Sequence, residues 1–170
     1  MRNFTILSRI LFVAALVISL GTAGVGGQSA GQSATAKRFI GTWRLVSIVG
    51  GTAETAATRG AHPTGLIIYD ATDHMAAQIM PDRIRPKYVG AQPTPDEART
   101  ALIGYTAYFG TYTVDERAQT VTHHRQGNIN PEALGDFVRH YEFAPGDRII
   151  LTPLENPQNP PSHLTWERVK

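Results

Sequence analysis

FIGTWRLVS, residues 39–47, sets Gly-Thr-Trp-Arg at the head of the first strongly periodic run in the chain. Trp43 and Leu45 fall on one face of that run, the period-two signature of a half-buried strand. The chain ends with a matching run, HLTWERV (163–169), in which Leu164, Trp166 and Arg168 share a face. Working inward from these two ends, strand-like runs recur at Gly65–Tyr69, Met75–Met80, Ala107–Val114, Gln119–Arg125, Phe137–Phe143 and Arg148–Thr152. Turn residues such as Asp115-Glu116 and Pro145-Gly146-Asp147 divide them. With Gly41–Val49 and His163–Val169 at the ends, the pattern predicts eight short strands in one all-β domain, residues 37–170. Eight mainly antiparallel strands fit a closed up-and-down barrel, because closure removes the edge strands that invite aggregation. A two-sheet sandwich is the alternative. The chain ends favour the barrel: there the first and last strands are neighbours, and the Arg168 guanidinium is expected over the indole of Trp43. Gly41 then permits close chain approach and Trp43 fills the barrel floor, which accounts for the Gly-Thr-Trp-Arg opening.

One segment breaks the period. In TPDEARTALIGY (94–105), Thr94 can cap a helix, Pro95 suits its first position and Glu97 completes a capping box. Ala98, Ala101, Leu102 and Tyr105 follow at helical spacing and give one apolar face. A single short helix is therefore expected between strands three and four, either a lid over a ligand entrance or a piece that merely closes the barrel end. Before it runs PDRIRPKYVGAQP (81–93), a basic, Pro-rich loop. Arg83, Arg85 and Lys87 make it a candidate portal for an anionic ligand, with a plain solvated loop as the alternative.

The beginning of the chain reads differently. Arg2 and Arg9 precede an apolar run from Ile10 to Leu20, interrupted only by Ser19 and followed by small residues acceptable to a signal peptidase. The run is shorter than the ~20 apolar residues a spanning helix needs. Residues 1–23 are thus expected to be a signal peptide, making the protein exported, periplasmic or secreted, with no stable membrane span after cleavage. Residues 24–36, rich in Gly, Ala, Ser, Thr and Gln, are expected to be a flexible linker. Of 16 Lys and Arg residues two lie in this leader, so the remainder carries 14 basic against 14 acidic side chains. That balance removes the electrostatic case for nucleic acid. With no cysteine, neither a disulfide nor a cysteine-linked lipid anchor is expected, and the fold is expected to rest on its core.

Several longer stretches carry a resemblance. FIGTWRLVS, HPTGLIIYD (62–70), HMAAQIM (74–80), YTAYFGTYTVDE (105–116), VTHHRQGNINPEALGDFVRHYEF (121–143), RIILTP (148–153) and LTWERV (164–169) cover nearly all of Phe39 to Val169. The Gly-x-Trp opening with the late Arg168 resembles the lipocalin signature. The order of segments is similar to the lipocalin-like domain family of small bacterial and fungal proteins. The chain departs from that pattern at His74, where the family favours glycine in the turn after the second strand. The resemblance implies an eight-stranded barrel with a cavity for a small, mainly apolar molecule, and little about chemistry.

Alternation names the residues that would line such a cavity. Phe137, Arg139, Tyr141 and Phe143 share a face, and the aromatic side is the better candidate for the interior. Arg139 would then point inward and need a partner, such as a ligand carboxylate; the alternative leaves it solvated or bonded to protein carbonyls. His123 shares a face with Val121 and Arg125, and Tyr108 with Tyr112, so these three are candidate polar handles in an apolar pocket. An ordinary hydrogen-bonded barrel histidine is the plain alternative for His123. Neither a His-x-His pair nor a His-Glu-x-x-His helix occurs, so no metal site is expected, and no cofactor is implied. No Gly-x-Ser-x-Gly elbow, phosphate loop or carboxylate pair points to catalysis.

The leading expectation is an exported barrel that binds a small hydrophobic or amphipathic molecule, with the carboxylate-bearing kind among the options. A cofactor-independent cyclase or isomerase in the same cavity, and a filled barrel serving protein interaction, remain as alternatives.

Overall fold

A computed structural model describes residues 32–154 and 160–170. Eight strands form one closed antiparallel barrel in chain order: β1 Gly41–Gly50, β2 Thr64–Tyr69, β3 His74–Met80, β4 Thr106–Asp115, β5 Thr120–Asn128, β6 Gly135–Ala144, β7 Arg148–Pro153 and β8 Ser162–Arg168. The expected sandwich alternative is excluded, since β1 pairs with β8 through Trp43–Arg168, Leu45–Trp166 and Ile48–Leu164.

Two bulges adjust the alternation. Val46 is extra between the Leu45–Trp166 and Ser47–Thr165 pairs, so the inward face passes from Leu45 to Ile48, which packs on the core. In β5 the extra residue is Gln126, between the Phe109–Gly127 and Gly110–Arg125 pairs. Gly110 stands at that irregularity because a Cβ there would lie 2.0 Å from the carbonyl oxygen of His124.

Up-and-down order sends the tight turns after β2, β4 and β6 to one end, with the start of β1 and the end of β8. The longer connections after β1, β3, β5 and β7 define the opposite end, the mouth. The single helix expected between β3 and β4 is present at Pro95–Leu102, but it is one of three among the described residues. Helix α1, Ala34–Phe39, is capped by the Ser33 hydroxyl, which accepts from the Ala36 amide. The flexible linker expected over 24–36 is corrected to that extent: order begins before Ala36, while 24–31 lie outside the described residues, as does the expected signal peptide. Helix α2, Ala53–Arg59, connects β1 to β2, and α3 is Pro95–Leu102. In α3 the Thr94 and Glu97 side chains each accept from the other residue's backbone amide, completing the expected capping box. Its expected apolar face is only partly covered, for Leu102 is 51% exposed. No helix among the described residues is long and apolar enough to cross a membrane.

The closed end is built from aromatics. Phe39, the last residue of α1, is fully buried and meets Tyr69, Tyr141 and Phe143 edge to face at centroid distances of 5.3, 5.1 and 5.3 Å. Trp43 donates its indole N–H to the Phe39 carbonyl at 2.7 Å. The Arg168 guanidinium lies 4.1 Å from the Trp43 ring centroid, as expected from the chain ends. It also donates to the carbonyls of Ile40 and Arg38, each at 2.6 Å, and to Asp147 at 3.2 Å. Carbonyls at the end of a helix have no partner inside it, and here an arginine from the last strand supplies one. Gly41 is required beside it: φ is +137°, and a Cβ would come within 2.6 Å of Arg168 Nη1.

Candidate functional site

Inside the barrel, β2, β4, β5 and β6 each contribute one polar side chain to a single network. Inward-facing positions make this unavoidable: Tyr69, Tyr108, His123 and Arg139 all sit at buried steps of their strands. Tyr69 Oη lies 2.7 Å from His123 Nε2, and Tyr108 Oη lies 3.0 Å from His123 Nδ1. Arg139 Nη1 donates to Tyr108 Oη at 3.1 Å and approaches His123 Nδ1 at 3.3 Å.

Directions in this network follow from what each group can donate. A guanidinium only donates, so Nδ1 of His123 is an acceptor and its ring proton sits on Nε2. Tyr108 accepts from Arg139 and passes its own proton toward Nδ1; the Nε2 proton goes to Tyr69 Oη. Electrostatics agree with a neutral ring. Burial, reinforced by the Arg139 charge, holds the His123 pKa well below 6.5. Burial likewise pushes the Tyr69 hydroxyl well above its usual range, with Tyr108 adding to it.

Arg139 is only 7% exposed, which corrects the alternative that left it solvated. Its guanidinium carbon sits 4.4 Å from the Phe137 ring centroid. No ion pair among the described residues includes it. Its Nε is enclosed without a hydrogen-bond partner, and so is the indole nitrogen of Trp166.

Of the residues that the sequence marks, the structure gathers His123, Tyr108, Arg139 and Phe137. Tyr112, Tyr141 and Phe143 belong instead to the aromatic end around Phe39. Tyr112 donates its hydroxyl to the Asp70 carbonyl at 3.0 Å, and burial pushes its pKa up to about 12. Gly41, Trp43 and Arg168 form the floor that the sequence assigns to them, with Phe39 as a plug it does not. Tyr69 is the network member that sequence reasoning missed. Its period-two step after Ile67 was the available signal.

Space around the network is graded. His123, Ile67 and Leu151 have no surface open to water, whereas Leu45, Ile79, Tyr108, Arg139 and Leu164 are each 6–8% exposed. A depression of about 740 Å³ runs over outward-facing His140, Glu142 and Thr165 and touches none of the four network residues. The expected portal loop is partly engaged: Arg83 donates to the Ile103 carbonyl at 3.3 Å and Arg85 to that of Ala101 at 2.9 Å, at the C-terminal end of α3. No group of three or more His, Cys, Asp or Glu side chains converges as a metal site among the described residues.

The sequence model of one family, described as a lipocalin-like domain, matches residues 40–169. No curated protein matches the chain.

Proposed function

The chain belongs to the lipocalin-like domain family, and from that premise we propose that it holds a small amphipathic molecule in its barrel, apolar body toward the mouth and polar end against Arg139. Binding of small molecules is what such a barrel suggests generally. The observation supporting the finer reading is the state of Arg139: a buried guanidinium met by the neutral Tyr108 and His123, among described residues that offer it no carboxylate. Burying an unpaired charge is costly, and an acceptor-bearing ligand relieves that cost. Tyr108 and Phe137 would complete the polar end, and Leu45, Ile79 and Leu164 would meet the apolar body. Export belongs to this proposal too, supported by the charged start and apolar run within residues 1–23.

A cyclase or isomerase draws no support from His123, whose two ring nitrogens are both engaged by protein hydroxyls. The filled-barrel reading draws on the fully enclosed residues around His123. Native mass spectrometry of the protein purified from its own cells, with extraction of whatever travels with it, separates these readings. A co-purifying small molecule is the expected result; a protein that arrives empty and takes up no amphipathic probe overturns the ligand reading in favour of the filled barrel.

A further inference from the structure

Resting on that reading, we propose that the polar end of the ligand is a carboxylate, gripped side-on by the edge of Arg139 formed by Nε and Nη2. The interior of the barrel has more donors than acceptors. Both enclosed atoms without partners, Arg139 Nε and Trp166 Nε1, are N–H donors. Tyr69 makes a third case: its oxygen receives the Nε2 proton of His123, and its own hydroxyl proton has no protein acceptor among the described residues. What is missing from this interior is an acceptor, and a ligand that brings one must bring it to Arg139.

The guanidinium's orientation selects the shape of that acceptor. Nη1 is occupied by Tyr108 and His123. Nη2 makes no hydrogen bond among the described residues and is not among the enclosed atoms, while Nε beside it is enclosed and unpartnered, so a carboxylate meets Nη2 first and reaches Nε as the side chains around it give way. These two nitrogens form the edge whose N–H bonds run parallel in one plane, the spacing that two oxygens of a planar carboxylate match. The network behind them fixes the arginine. Tyr108 holds Nη1 from one side, His123 Nδ1 backs it up, and Phe137 covers a face of the guanidinium plane, so the unpartnered edge does not swing away. An alcohol or ester would offer that edge a single neutral acceptor. A lysine in place of the arginine would supply the charge without the two-pronged edge.

The test compares matched pairs of probes, decanoic acid with decanol and 3-phenylpropanoic acid with 3-phenylpropanol, by calorimetry on the wild-type protein and on Arg139→Lys and Arg139→Met. Wild-type protein is expected to bind each acid at least tenfold more tightly than its alcohol. Both substitutions are expected to weaken the acids at least tenfold and the alcohols less than threefold. A wild-type protein that binds acid and alcohol alike overturns the carboxylate assignment but leaves small-molecule binding standing. Undiminished acid binding by Arg139→Lys overturns the side-on edge. Failure of every probe on wild type removes the underlying reading itself, with ordered water satisfying Arg139. Should the variants not fold, carboxyl-labelled acid on the wild-type protein decides by carbon-13 NMR. The bound carboxyl is expected to titrate below the free acid, and titration at or above the free value overturns the proposal.

Discussion

His123 is a neutral imidazole held between two tyrosine hydroxyls, and that state makes the fold sensitive to acid. In the unfolded chain the ring titrates near 6.5, whereas in the barrel burial and Arg139 keep it unprotonated to a much lower pH. Below 6.5 the unfolded chain therefore holds a proton that the folded chain lacks, so stability is complete above that pH and declines as pH falls. The limiting slope from one such group is about 1.4 kcal/mol per pH unit. Urea unfolding of His123→Gln between pH 7 and 5 is expected to show a shallower decline than wild type, because the amide keeps an acceptor and a donor but takes no proton. An unchanged slope would place the acid sensitivity elsewhere. Strand parity alone made it legible that Arg139 shares a face with Phe137 and Tyr141, and His123 with Val121; which face turns inward it left open. The meeting of the network residues was not legible, since Tyr69 and His123 are 54 residues apart and only barrel closure joins them.

At the level of elements, α3 shows what a cap can and cannot support. Its capping box was readable because Thr94, Pro95 and Glu97 stand at the required spacing, and the structure bears it out. Yet α3 contributes no fully buried residue, so its helicity depends on the cap and on the arginines at its far end. Thr94→Ala is expected to cost that segment about 1 kcal/mol. Faster amide exchange over Pro95–Leu102, with an unchanged denaturation midpoint for the barrel, would register it; a shifted midpoint would mean that α3 is part of the cooperative core. The other two helices were less legible for related reasons. Helix α2, AETAATR, buries nothing, so no apolar stripe announced it, and its Thr52 cap is a signal that loops also carry. Helix α1 sits at the end of a Gly, Ala and Ser-rich lead-in that reads as flexible. It is ordered through one apolar residue, Phe39, and one arginine contributed from the far end of the chain.

Across the whole molecule, closure joins the chain's two ends of regular structure, and Arg168 is the tie. Its contacts reach α1, Trp43 and the turn between β6 and β7 at once. Arg168→Met keeps the stem over the indole but removes the charged donors, and is expected to destabilise the protein by about 2 kcal/mol. Proteolytic nicking within 33–40 should appear before global unfolding, which limited digestion followed by mass spectrometry would detect; simultaneous loss of both would show α1 to be inseparable from the barrel. The eight-strand order was legible because every strand keeps its period, with the bulges at Val46 and Gln126 as the exceptions that pairing alone reveals.

Both tryptophans, Trp43 and Trp166, lie at the plugged end of the barrel and are 1% exposed. The protein thus carries two indole fluorophores in dry surroundings at one pole and no indole at the other. Their emission will be blue-shifted in the native state and will report the loosening of the Phe39 plug, whereas events at the rim around α2 and α3 will leave the indole emission unchanged. An indole introduced there, at exposed Leu102, would give the second pole a reporter of its own.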